Sequence, residues 1–207
     1  MDFMEIFTLV TGVIYMVLEI RQKNLMWVVG IATSLAAMWV FFRQGLYASF
    51  GLNTYYFITA FIGLWQWRRN RETISSQLEV KVTDSDEDII VLKRLPFSTV
   101  VISAVVSVVG IFALSYGMSY LHRIGILDEN PMSLLDSAAT VLSAVATWWL
   151  VRSYRQQWWL WIVADTLSVV LCAMQGMWWM AVLYLAYVAA AVYGLHYWKL
   201  KGVYLSS

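Results

Sequence analysis

Asp165 stands deep inside an apolar run, QWWLWIVADTLSVVLCAM, where water is scarce. Seven residues separate it from Trp158 at the start of that run, or about 10 Å at a helical rise of about 1.5 Å per residue. A charged side chain near a bilayer midplane costs about 2.5–3.5 kcal/mol even on the lenient insertion scale. It therefore faces a cavity or a partner, and no Lys or Arg stands at that depth to pair with it. Two readings follow: a protonated acid bonded to a neighbouring helix, or a carboxylate awaiting a cationic or amine-bearing ligand. Trp158, Trp161, Asp165, Ser168 and Cys172 recur at steps of three, four, three and four, which keeps them on one helix face. Indoles one turn apart can stack a flat ring, with an added attraction if the ring is positive. The alternative for Trp158 is an interfacial belt, to which Trp159, on another face, is better suited.

Other residues offer less chemistry. Asn53 lies within an apolar segment and Tyr184 within another; either could hydrogen-bond a ring substituent or hold helices together. Asp136 opens a segment, where an acid suits a helix N-terminus, or at most attracts cations at an entrance. Glu19 stands beside Arg21 and Lys23 as an expected pair, and Asp84, Asp86, Glu87 and Asp88 read as a solvated loop. His122 and His196 are too far apart to begin a metal cluster, and Cys172 is the lone cysteine. No metal site, cofactor or catalytic residue is expected. An enzyme would need a nucleophile with a base in reach.

Positioning those residues is the task of a very apolar chain. Of 207 residues, 61% are hydrophobic and 13% charged, against about 25% charged in soluble domains; the mean hydropathy is +0.66. So few ionic groups cannot cover a water-facing surface. A net charge of +1 gives no basic face for nucleic acid. Seven stretches approach the roughly 17–25 apolar residues that span a bilayer: 3–20, 25–42, 46–66, 97–121, 134–151, 158–175 and 177–198. The stretch 67–95 reads as the one long hydrophilic loop. Pro96 and Pro131 each precede an expected helix, where a missing N–H costs nothing. The N-terminus carries Asp2 and Glu5 in place of a basic leader, so the first helix is expected to remain.

Twelve of the fourteen Lys and Arg residues fall on one side of this arrangement, leaving Arg43 and Arg123 on the other. The positive-inside rule then places the N-terminus outside and the C-terminus in the cytoplasm of a bacterial inner membrane. Trp65, Trp67, Trp148, Trp149, Tyr193 and Trp198, at segment ends, fit an aromatic belt.

The chain also repeats itself. At an offset of 131 residues, Gly45, Tyr56, Gly63, Leu64 and Trp67 meet Gly176, Tyr187, Gly194, Leu195 and Trp198. Upstream, a three-residue gap gives an offset of 134, pairing Trp27 with Trp161, Ser34 with Ser168 and Asn24 with Trp158. The expectation is an all-α integral membrane protein, seven transmembrane helices as a 3+1+3 parallel repeat, with both second-helix stripes facing one cavity. Such repeats are a transporter architecture. As one transmembrane domain, 1–207 divides into repeat one (1–69), a cytoplasmic loop (70–95), a connector helix (97–121) and repeat two (131–201).

At Asn24–x–x–Trp27, Trp158–x–x–Trp161, Leu46-Tyr47-Ala48-Ser49, Asp136-Ser137, Gln175-Gly176 and the GLWQW ending of span three, the chain resembles the PnuC-type vitamin transporters. The resemblance covers all seven spans. It implies a helix bundle, often a homotrimer, holding a substrate ring by the motif residues of spans two and six. By that resemblance the substrate-binding set is Asn24, Trp27, Asn53, Trp158, Trp161, Asp165 and Tyr184. It also implies facilitated diffusion, with a cytoplasmic vitamin kinase as functional partner. In the nicotinamide riboside branch an Asn stands where Asp165 is and a Gln where Asn53 is. An ionised Asp only accepts hydrogen bonds, so a nicotinamide carbonyl would lose a partner there. Thiamine offers an amine donor and a cationic ring, so the thiamine-carrying, PnuT-like branch is the first expectation and nicotinamide riboside the alternative. A membrane-embedded enzyme or a scaffold without substrate is more distant. No ion coupling is expected, because Asp165 has no second titratable partner at its depth.

Overall fold

The computed structural model describes residues 3–43, 47–79, 89–126 and 132–205. Seven helices follow in order: α1 (Phe3–Ile20), α2 (Leu25–Arg43), α3 (Tyr47–Leu78), α4 (Phe97–Arg123), α5 (Ser133–Val151), α6 (Gln157–Met174) and α7 (Trp178–Lys201), with short strands β1 (Ile90–Leu92) and β2 (Gly202–Tyr204). Apart from α3, which runs on to Leu78, the helices end within a few residues of the expected spans. The chain is thus an all-α integral membrane protein, three helices, a connector and three helices again. Leu46, Pro131, Lys81 and the acidic tract lie outside the described residues.

The outer surfaces explain the composition. On α4, Ile102, Val105, Val109 and Phe112 are each more than half exposed, and an 18-residue stretch of the helix reaches a mean hydropathy of 2.4. A contiguous apolar surface of this kind suits lipid rather than water. Pro96 caps α4 in an extended conformation, as its locked φ and missing N–H favour. Gly176, at φ 72°, turns the chain between α6 and α7 in the left-handed region that side chains disfavour.

The chain forms two compact units. One comprises Met1–Arg94, Leu150–Arg155 and Tyr197–Ser207; the other comprises Leu95–Trp149 and Gln156–His196.

In the first unit α2 lies antiparallel along α3, with Gly30 opposite Ala60 and Trp27 opposite Gly63. The stretch read as a hydrophilic loop is partly a packed structure. Residues past 69 continue α3 to Leu78, and Ile74, Ile90, Val91 and Leu92 are fully buried. β1 pairs with β2 in parallel, Val91 opposite Val203, and Ile89, Val203 and Leu205 pack on Ile74 and Val91. Burial of this apolar handful outweighs the polar average of the surrounding sequence.

Two residues anchor that strand. The Gln22 side chain donates to Val91 O at 2.9 Å and accepts from Val91 N at 2.8 Å. Lys93 N donates to Ser153 O at 3.1 Å. Gln22 and Ser153 have φ of 51° and 59° and stand 131 residues apart. Each is the second residue of the link after the first helix of its repeat, and each donates its own N–H back to that helix, to Glu19 O and Leu150 O. Arg71 donates to Gln22 O, and Asn70 Nδ2 to Ser153 Oγ at 3.1 Å.

Trp67 and Trp198, expected in the aromatic belt, are instead buried. Trp67 Nε1 donates to Leu150 O at 3.1 Å and Trp198 Nε1 to Ile20 O at 2.8 Å. Each indole therefore satisfies a carbonyl at the end of the first helix of the opposite repeat, the group a helix terminus leaves open. Trp65 and Tyr193 are well exposed, as a belt requires.

In the second unit α4 runs antiparallel to α5. Trp149 Nε1 donates to Ser103 Oγ at 2.9 Å, Gly110 faces Val141, and Ser115 Oγ lies 3.2 Å from Ser133 Oγ. Trp149 is thereby also an internal residue rather than a belt residue.

Candidate functional site

α6 supplies the chemistry of the second unit. Its partner α7 runs antiparallel, with Trp158 against Gly194 and the Asp165 carboxyl within electrostatic reach of the Tyr187 phenol. The contact at Gly194 is close. A β-carbon placed there would lie 2.7 Å from the Trp158 ring, so only glycine lets the indole seat. Trp158 is wholly buried. The interfacial alternative for Trp158 is therefore excluded, and Trp159, on another face, is exposed over more than half its surface.

Asp165 is only 5% exposed, so it faces the protein rather than lipid. Trp161, one turn before it, is half-buried, and its Nε1 has no hydrogen-bond partner among the described residues. Ser168 turns its hydroxyl onto its own helix, donating to Ala164 O at 3.0 Å. Cys172 is buried further along. On α7, Tyr184 packs edge-on against Tyr187, with ring centroids 6.0 Å apart. The second unit therefore groups Trp158, Trp161, Asp165 and Tyr184 on one helix pair. Asp136 lies in the first turn of α5.

The first unit holds the remaining candidates. Trp27 is buried, seated on Gly63 as Trp158 is on Gly194; a β-carbon on Gly63 would come within 2.5 Å of the indole. Its ring meets Trp67 edge-on at 5.0 Å, and its Nε1 lacks a partner among the described residues. Asn24 accepts the Trp27 N–H on its backbone carbonyl at 3.0 Å, starting α2. Asn53 is half-buried on α3. Glu19 is buried within electrostatic reach of Tyr15.

These parallel seats correct the repeat register. Trp27 with Gly63 and Trp158 with Gly194 are 131 residues apart, as are Gln22 and Ser153. The offset of 131 therefore continues through the second helices without the three-residue gap. Trp27 corresponds to Trp158, not Trp161; Ser34 corresponds to Asp165; Asn24 corresponds to Arg155. The gap aligned one tryptophan with another of the same type but on the wrong turn. Packing against a glycine identifies the right one, because only one indole per repeat occupies that seat.

With the register corrected, the two second helices differ in kind. Where α6 carries Gln157, Trp161 and Asp165, α2 carries Met26, Gly30 and Ser34. Ser34 spends its hydroxyl on Gly30 O at 2.6 Å. Residue typing missed Gln157. It is 0% exposed, with neither amide atom partnered among the described residues. The available signal was an amide at the head of a tryptophan-rich helix, masked by its neighbours Gln156 and Trp158.

The nicotinamide mononucleotide transporter family matches residues 2–200. The nicotinamide riboside transporter PnuC of Escherichia coli (strain K12) is 25% identical over 165 residues, covering 77% of this chain and 69% of that protein. The Neisseria mucosa protein of the same name is 27% identical over 201 residues, covering 91% of this chain and 69% of its own length. The crystal structure of the vitamin B3 transporter PnuC superposes with a TM-score of 0.61 at 25% identity, over 93% of this chain and 78% of that one. The chain belongs to the nicotinamide mononucleotide transporter family, a family of multi-pass membrane transporters.

Proposed function

We propose that the protein carries nicotinamide riboside across a bacterial inner membrane by facilitated diffusion, with its N-terminus outside and its C-terminus in the cytoplasm. The family match across residues 2–200 carries this reading, together with relatives named as nicotinamide riboside transporters. It replaces the preference for thiamine drawn from Asp165. That preference rested on the lost amide at position 165, and charge does not separate the two vitamins. The pyridinium ring of nicotinamide riboside is itself a cation, so a buried carboxylate serves it as well as it serves a thiazolium. Trp161 offers an indole for the ring to stack on, and an indole attracts a desolvated cation by about 2 kcal/mol.

On this reading the chain performs no chemistry on its cargo. The vitamin equilibrates down its gradient, and net uptake depends on a cytoplasmic kinase that phosphorylates it. Thiamine stays as the second reading, because the acceptor-only carboxylate of Asp165 suits an aminopyrimidine donor.

Proteoliposomes containing the purified protein test the proposal. Labelled nicotinamide riboside should equilibrate to equal concentrations inside and out without ATP or an imposed pH gradient, and unlabelled riboside on one side should drive counterflow. Trp161→Ala should slow entry at low substrate by about 30-fold, the worth of one desolvated cation–indole contact of about 2 kcal/mol. Saturable entry of thiamine with none of nicotinamide riboside would overturn the substrate assignment.

A further inference from the structure

Gln157 is the first residue of α6, and the fold makes no visible use of its amide. It is 0% exposed, yet both Oε1 and Nε2 lack hydrogen-bond partners among the described residues. Buried polar groups are almost always paired, and each exception calls for a reason. Packing is not the reason. The corresponding residue of the first repeat is Met26, also 0% exposed, an unbranched side chain of nearly the same length and shape. The position therefore needs bulk, not polarity, and of the two repeats only α6 carries an amide there.

Position along the helix suggests what the amide is for. Gln157, Trp161 and Asp165 follow at steps of four, which places them along one face with about 6 Å of rise between each. Read from the start of α6, that face offers an amide, an indole and a carboxylate. A pyridine nucleoside presents complementary groups in the same order: a carboxamide, a flat cationic ring and sugar hydroxyls. An amide and a carboxamide can exchange two hydrogen bonds, donor to acceptor in both directions. The carboxylate accepts from the hydroxyls, and the indole covers the ring.

We propose that Gln157 is a substrate-binding residue that reads the carboxamide of a pyridine nucleoside, which points toward the start of α6 while its sugar lies toward Asp165. The assignment rests on the proposed transport of nicotinamide riboside and adds its orientation and a specificity determinant. It also accounts for the departure at position 165. The amide that complements the carboxamide stands at 157, which leaves Asp165 free to serve the sugar and the positive ring.

Gln157→Met copies the first repeat and so preserves packing. Binding calorimetry would compare nicotinamide riboside with the same pyridinium riboside lacking the carboxamide, on the parent protein and the variant. The parent should prefer nicotinamide riboside, and Gln157→Met should weaken it by about 10- to 100-fold, the effect of leaving a buried polar group unpaired. The analogue should bind parent and variant alike, and the variant without ligand should melt no lower than the parent. Equal losses for both ligands, or none for either, would overturn the proposal while leaving riboside transport standing. A parent protein that binds neither ligand would remove the functional reading and the orientation with it.

Discussion

Gly194→Ala is the sharpest test of the packing that seats Trp158. The new β-carbon would lie 2.7 Å from two atoms of the indole, about 0.7 Å short of ordinary contact, which begins near 3.4 Å. Trp158 is wholly buried, so the ring cannot swing into open space and either it or α7 must shift. Overpacking of this kind costs about 1–3 kcal/mol. Against it stands the helix preference of Ala over Gly, about 1 kcal/mol. The net expectation is a loss of up to about 2 kcal/mol. Gly117→Ala is the matched control, since a β-carbon there meets nothing within 4 Å and only the propensity gain of about 1 kcal/mol remains. Thermal unfolding in detergent should therefore move in opposite directions for the two variants. Riboside binding should fall with Gly194→Ala, because the displaced indole sits beside the Gln157 to Asp165 face, and stay unchanged with Gly117→Ala. Equal melting shifts of the same sign would refute the seat.

The anchoring of β1 makes two further expectations. Gln22→Gly suits the φ of 51° but deletes both hydrogen bonds to Val91, at about 1–3 kcal/mol for buried groups left unmade; amide exchange at Val91 should accelerate tenfold or more, and an unchanged rate would exclude the anchor. Lys93 has its pKa lowered from 10.5 by burial first, then by Arg152 and Arg69. Folding therefore expels a proton from this ammonium between the lowered value and 10.5, and stability attributable to it rises with pH across that window. The difference in stability between the parent and Lys93→Met should shrink as pH climbs toward 10.5; a constant difference would sink the argument.

Much of the architecture was legible because bilayer insertion is a local, additive property. Runs such as 97–121 are apolar over a full span length, and α4 forms there with its proline cap. The outward exposure of Trp159 and Trp65 was legible by the same reasoning. The stretch 67–95 was misjudged for the converse reason. Its average polarity hides Ile74 and Ile90–Leu92, whose burial depends on β2, more than a hundred residues away.

The sequence alone determined the number of spans, their bias in basic residues, the existence of a repeat and the place of Asp165 deep in an apolar run, because each follows from transfer free energies and spacing along the chain. That the Tyr187 phenol stands within electrostatic reach of Asp165, against the expectation of no titratable partner at its depth, did not follow from it. Tertiary structure decided which tryptophan matches which, that Trp67 and Trp198 satisfy helix-end carbonyls, and that Gln157 is buried without a partner among the described residues. Those facts depend on which atoms meet across helices. An indole reads alike to a hydropathy window whether it faces lipid, a glycine or a carbonyl, and only close packing separates the three.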